Sequence, residues 1–135
     1  MSEKLQLKVV TRTRQVIDTE VDEARLPGAL GELGILAGHA ALLTSLGTGE
    51  LYYRSNGEVG RLAVQDGFAE VVNDEVTVLA EIAEPADEID IESARSDHTE
   101  AEEALKTATA DELEQLTKKL RLSEIRLQVG APAHD

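Results

Sequence analysis

The chain has 135 residues, with 27 acidic side chains against 13 Lys and Arg, a formal net charge of −14 and no cysteine. A length of this order suits one compact unit, or one unit with a small appendage that needs a partner surface. The negative balance excludes non-specific binding to nucleic acid or to anionic lipid as the main activity, and the absence of cysteine removes disulfides, thiolate metal sites and cysteine nucleophiles.

No apolar signal region follows Met1-Ser2-Glu3-Lys4, and the most apolar stretch, Ile35 to Leu46, falls short of the ~20 residues needed to span a bilayer. The expectation is a soluble cytosolic chain. Short β-rich runs follow one another: Leu5 to Val10, Val16 to Val21, Leu42 to Leu46, Leu51 to Arg54, Val59 to Val64, Phe68 to Val72 and Val76 to Ile82. Turn-forming residues separate them at Pro27-Gly28, Gly47-Thr48-Gly49, Asn56-Gly57, Asp66-Gly67 and Asn73-Asp74. Alternation of Leu5, Leu7 and Val9 with Gln6 and Lys8 marks half-buried antiparallel strands, and the spacing predicts a sandwich or barrel.

The character changes near Pro85. Nine of the ten glycines and all three aromatic residues precede it, which divides the chain into a β part, 1–86, and a helical part, 87–135. Beyond it Ile91, Ala94, Ala101, Leu105 and Ala108 recur at helical spacing, with His98 in the same register and Asp87 as the expected N-cap. A Thr-x-x-Glu capping box, Thr109 to Glu112, opens a second helix with Leu113, Leu116, Leu120 and Leu127 on one stripe and Leu122, Ile125 and Val129 on another. The short connection predicts an antiparallel helical hairpin, weakly held because its shared stripe is mostly alanine. Residues 130–135 are expected to fray.

Charge is sorted along this part. Eleven acids stand against Arg95 and Lys106 between Asp87 and Glu114, whereas Lys118, Lys119, Arg121 and Arg126 stand against Glu124 alone from Gln115 to Val129. Two readings fit this basic island: complementation of the helix dipole, and contact with an acidic partner. His39, His98 and His134 are scattered without metal-ligand spacing, the Gly28 to Gly34 segment lacks a phosphate-loop pattern, and no serine sits in a strained Gly-x-Ser-x-Gly turn. The residues alone describe a binding or regulatory module: a β platform with a helical arm.

The segment Gly31-Glu32-Leu33-Gly34-Ile35-Leu36-Ala37-Gly38-His39-Ala40-Ala41-Leu42-Leu43-Thr44 closely resembles the signature of the epsilon subunit of F-type rotary ATP synthases, with Ala41 at a position usually held by proline. Val9-Val10-Thr11, Gly67-Phe68-Ala69-Glu70-Val71 and Val76-Thr77-Val78-Leu79-Ala80 extend the likeness over essentially the whole chain. The resemblance implies a ten-stranded antiparallel β-sandwich followed by the hairpin, in a non-catalytic subunit of the central rotor stalk. Its partners would be the gamma subunit, the ring of c subunits and the alpha/beta catalytic head, with no nucleic acid. It would sit at the cytoplasmic face of a bacterial plasma membrane, or the plastid equivalent, and associate with the membrane only through the complex.

By the same resemblance Glu32 and His39 are contacts to gamma or the c ring. The hairpin would inhibit ATP hydrolysis, with Lys118, Lys119, Arg121 and Arg126 facing an acidic segment of a catalytic beta subunit. No cofactor or metal is implied. Some relatives hold ATP on the folded hairpin through an Ile/Leu-Asp-x-x-Arg-Ala motif; here Asp90 keeps the frame, Ser93 stands at the arginine position, and the nearest guanidinium, Arg95, is displaced by two residues. Two helical positions turn it about 200° from the expected face, so ATP is at most a regulatory ligand. The alternative from a different class is a free-standing ligand-binding β-sandwich whose helices mediate oligomerisation.

Overall fold

A computed structural model describes residues 3–131; His134 and the fraying expected of residues 132–135 lie outside them. The order is β1 (Leu5–Val10), β2 (Gln15–Val21), β3 (Glu23–Gly28), β4 (Gly31–Leu36), β5 (Leu42–Ser55), β6 (Glu58–Val72), β7 (Glu75–Pro85), a 3-10 turn (Ala86–Glu88), α1 (Ile91–Leu105) and α2 (Ala110–Gly130). The described strands form a single seven-stranded sheet in the order β2-β1-β7-β6-β5-β3-β4.

Two expectations are corrected here. The strands number seven rather than about ten, because β5, β6 and β7 are long and each runs through a corner, serving both halves of the sandwich. The sheet is also not wholly antiparallel: β1 pairs with β7 in parallel, from Gln6 opposite Glu75 to Val10 opposite Leu79. The corner lies at Asp66-Gly67, where φ is +56° and +131° and pairing lapses on both sides without a change of register. Only glycine tolerates the second position, since a Cβ there would lie 1.9 Å from the Leu79 carbonyl oxygen.

Bending brings the apolar faces together. Leu5, Leu7 and Val9 of β1 share one core with Ala24 and Leu26 of β3 and Ile35 of β4, although these strands lie far apart in the sheet order. Asn56-Gly57 and Asn73-Asp74, all with positive φ, make the two tight turns that join β5 to β6 and β6 to β7.

The N-cap of α1 is Asp90, whose carboxylate accepts from the Ser93 N–H at 3.1 Å, and not Asp87, which falls in the 3-10 turn after Pro85. The second helix starts where its sequence predicts, with the Thr109 N–H donating to Glu112 at 3.0 Å. It continues through Gly130 instead of fraying there, because Gly130 packs against Ile89 and Ile91. Nested contacts join the helices: Lys119 pairs with Glu100 at 3.0 Å and Arg126 with Asp97 at 3.6 Å, and between them the His98 ring lies 3.9 Å from the Glu124 carboxylate. The packing contact with the sheet is made by α2, and α1 leans on α2.

Candidate functional site

On the outer face of the sheet, Glu50 of β5, Ala63 of β6 and Glu84 of β7 lie side by side in one cross-strand row. Ile125 and Val129 of α2 bury themselves on Ala63. The flanking acids receive polar groups from the same helix: Gln128 donates to Glu50 at 3.1 Å, and Arg126 donates to Glu84 through Nε at 2.8 Å and through Nη2 at 3.4 Å. The Arg126 side chain is only 12% exposed and also reaches Asp97, so one guanidinium ties sheet, α1 and α2 together. In the next row, Gln65 donates to Thr48 and to the Lys118 carbonyl oxygen. Beside it, at the corner, Asp66 pairs with Lys118.

The basic island is therefore engaged within the chain. Lys118 meets the sheet, Lys119 meets α1, Arg126 meets both, and Arg121 lies 3.8 Å from Glu124 on its own helix. The hydrogen bond and charge of Asp66 hold the Lys118 ammonium above the ordinary lysine range, and the hydrogen bond to Glu100 does the same for Lys119. Sequence reasoning located these cations but missed Asp66, Glu84 and Glu50, which carry no linear signal because strand pairing alone assembles them.

Glu32 and His39 are not brought together. Glu32 is exposed near the start of β4, in a groove it shares with Pro27, Glu50 and Arg121. His39 is half-buried in the turn beyond the other end of β4. Its N–H donates to the Leu36 carbonyl at 3.1 Å, and its Nδ1 lies 2.7 Å from the Ala40 carbonyl oxygen. The neighbouring Gly38 N–H donates to Asp74 at 2.7 Å, which fastens this turn to the β6–β7 turn.

Asp90 and Arg95 are also spoken for, the first as the α1 cap and the second in a 2.8 Å pair with Glu92. The groove that Arg95 lines carries Glu92, Glu100 and Glu103, a poor setting for a polyphosphate. Among the described residues no group of three or more His, Asp or Glu side chains is placed to hold a metal ion.

The outer face beyond the corner is bare. Phe68 of β6 lies opposite Leu79 of β7, which in turn lies beside Val10 of β1. Phe68 is 58% exposed, Leu79 52% and the nearby Leu43 72%. Apolar side chains clustered this openly on a sheet face mark an interaction surface.

A family model described as ATP synthase, Delta/Epsilon chain, beta-sandwich domain matches residues 4–86. The ATP synthase epsilon chain of Geotalea daltonii is 48% identical over 128 residues, which cover 95% of this chain and 89% of that one. The ATP synthase epsilon chain of Geobacter sulfurreducens is 44% identical over 135 residues, 98% of each chain. Among solved structures, a chain of the Euglena gracilis mitochondrial ATP synthase, determined with OSCP, F1 and c-ring, superposes with a TM-score of 0.81 at 23% identity. The match covers 93% of this chain and 79% of that one. A chain from the central stalk and c-ring of the Tetrahymena thermophila enzyme superposes at 0.67 with 14% identity, covering 96% and 98%. The two superpositions show a shared fold.

Proposed function

The chain belongs to the epsilon-chain family of ATP synthase, and on that premise we propose that its sheet grips the gamma subunit and meets the c ring while its helices form a regulatory arm that restrains ATP hydrolysis. Epsilon chains are non-catalytic subunits of the rotary complex, so ATP synthesis and ion transport are activities of the assembly. Family membership over nearly the whole length sets aside a free-standing ligand-binding module.

The bare apolar face around Leu43, Phe68 and Leu79 supports a docking role for the sheet, with gamma as its occupant. Glu32 and His39, set apart by the length of β4, serve as separate contacts with gamma and the c ring. The natural division of labour is 1–86 for the grip and 87–135 for the arm. Nested ion pairs, together with Gly130 lying against Ile91, support an antiparallel hairpin. Among the described residues no helix is long and apolar enough to cross a membrane, in keeping with a peripheral place in the complex at the cytoplasmic face of a bacterial membrane.

The observation that carries the regulatory reading is the engagement of Lys118, Lys119, Arg121 and Arg126 by acids of their own chain. When the arm leaves the sheet Lys118 loses Asp66 and Arg126 loses Glu84, and Lys119 is freed from Glu100 when the two helices part. Together with Arg121, which is paired on its own helix, they become available to an acidic segment of the beta subunit. The arm works without a cofactor: Asp90 and Arg95 are committed elsewhere, and calorimetric titration with ATP is expected to show no site there. The decisive experiment removes residues 87–135 and measures hydrolysis by the assembled complex. A rise in the rate is expected; an unchanged rate overturns the inhibitory role.

A further inference from the structure

We propose that the arm is held to the sheet by a two-point ion-pair latch, Arg126 on Glu84 and Lys118 on Asp66, whose two points answer to different perturbations. Its description as regulatory rests on the function proposed above; its existence does not.

The geometry sets the two points apart. The apolar contact beneath the arm is small: Ile125 and Val129 are buried on Ala63, with Ala86 and Ile89 partly buried against them. The remaining links are polar, and they sit at opposite ends of the docked segment. At one end Arg126 is 12% exposed and Glu84 26% exposed, and the pair is forked, so the charges are largely shielded from dissolved ions. At the other end Lys118 and Asp66 are each 38% exposed, open to screening. Asp66 is aimed at Lys118 by the corner in β6, whose left-handed backbone also forms the bend of the sandwich. Asp66 thus serves both the latch and the bend. An undocked arm cannot keep Arg126 satisfied, because Asp97 at 3.6 Å is the only other acid within ion-pair reach among the described residues.

Dissolved salt therefore competes for the Lys118 end and leaves the Arg126 end in place, whereas removing the Glu84 charge frees the Arg126 end at any ionic strength. An acidic partner able to form a fork with Arg126 does what salt cannot. In this respect the shielded pair is the selective half of the latch and the exposed pair its general half.

The test is amide hydrogen exchange on the isolated full chain, read separately over residues 114–121 and 122–130 of α2. Raising salt from about 0.05 M to about 1 M, which shortens the screening length to about 3 Å, is expected to speed exchange in the first segment and not the second. Glu84→Gln is expected to speed exchange in the second segment by about tenfold or more, as the loss of a charged hydrogen bond requires. Glu103→Gln on the outer face of α1 leaves both segments unchanged. Uniform salt sensitivity along α2, or no response to Glu84→Gln beyond that of Glu103→Gln, overturns the proposal. These readouts need no other subunit, so they fail or succeed independently of the hydrolysis assay.

Discussion

Inside the sandwich Leu5, Leu7, Leu26, Ile35, Leu51 and Leu62 are at most 1% exposed, and they come from five different strands. Beneath α2 the buried apolar groups are Ala63, Ile125 and Val129, ringed by Glu50, Glu84, Arg126 and Gln128. The first region has nothing to trade: each leucine taken from it exposes apolar surface and leaves a void. Under the arm, every polar link has an equivalent in water or in another protein, so undocking changes partners more than it loses them. One chain thereby holds a body that must not yield and an attachment that can.

The largest expected effect comes from attacking the body at its corner. Gly67→Ala places a methyl group 1.9 Å from the Leu79 carbonyl oxygen at a φ of +131°, a backbone region that L-residues rarely adopt. Strain and overpacking together are expected to cost about 4 kcal/mol, measured by urea unfolding of the full chain. Because the corner also aims Asp66, this variant is expected to loosen the arm together with the sheet. A sheet that keeps its stability would show that the bend is not fixed by this residue.

Ile125→Ala sharpens the contrast from the other side. The side chain is 3% exposed on Ala63, and its truncation is expected to cost about 2 kcal/mol of docking. Hydrogen exchange in α2 should accelerate while the sheet keeps its protection, since the strand core does not include this contact. Equal destabilisation of both parts would make arm and sheet one cooperative unit.

These differences bear on what could be read from the residues alone. Five of the strands follow from alternation and β-branched runs, but β3 and β4 were hidden because Glu23–Gly28 and Gly31–Leu36 are rich in glycine and charge. Asn56-Gly57 and Asp66-Gly67 use the same turn chemistry. The first ends a strand and the second bends one, and the deciding factor is whether the flanking residues keep pairing with their neighbours. Gly47-Thr48-Gly49 likewise marks no turn. Gly49 is needed because Pro27 of β3 passes so close that a Cβ would lie 2.7 Å away.

At the candidate site the cations of α2 were visible as a charge block, and the switch in hydrophobic period located the arm. Their partners were not visible. Asp66 and Glu84 are separated from them by 52 and 42 residues, and in the sequence they are two acids among 27. Only the lateral order of β5, β6 and β7 turns Glu50, Ala63 and Glu84 into a row that fits one helix face.

The smallest effect concerns a charged group that serves the body instead of the attachment. Asp22, between β2 and β3, accepts from Lys4 and from the Asn56 N–H at 2.9 Å and lies 3.5 Å from Arg54. The Lys4 hydrogen bond, followed by that of Asn56, holds its carboxyl below the usual carboxylate range. A carboxyl depressed in the folded state stabilises above its unfolded pKa of about 3.9, and that contribution is lost as pH falls through the lower folded value. Acid unfolding should therefore begin below about pH 4 with Asp22 among its causes. Asp22→Asn is expected to remove this part of the pH dependence, lowering stability slightly at neutral pH and flattening its decline in acid. Because Asp22 fixes the β5–β6 turn, the change should appear in the sheet and leave the arm's protection unaltered. A variant whose acid profile coincides with that of the parent would show that Lys4 and Asn56 hold the turn without needing the charge.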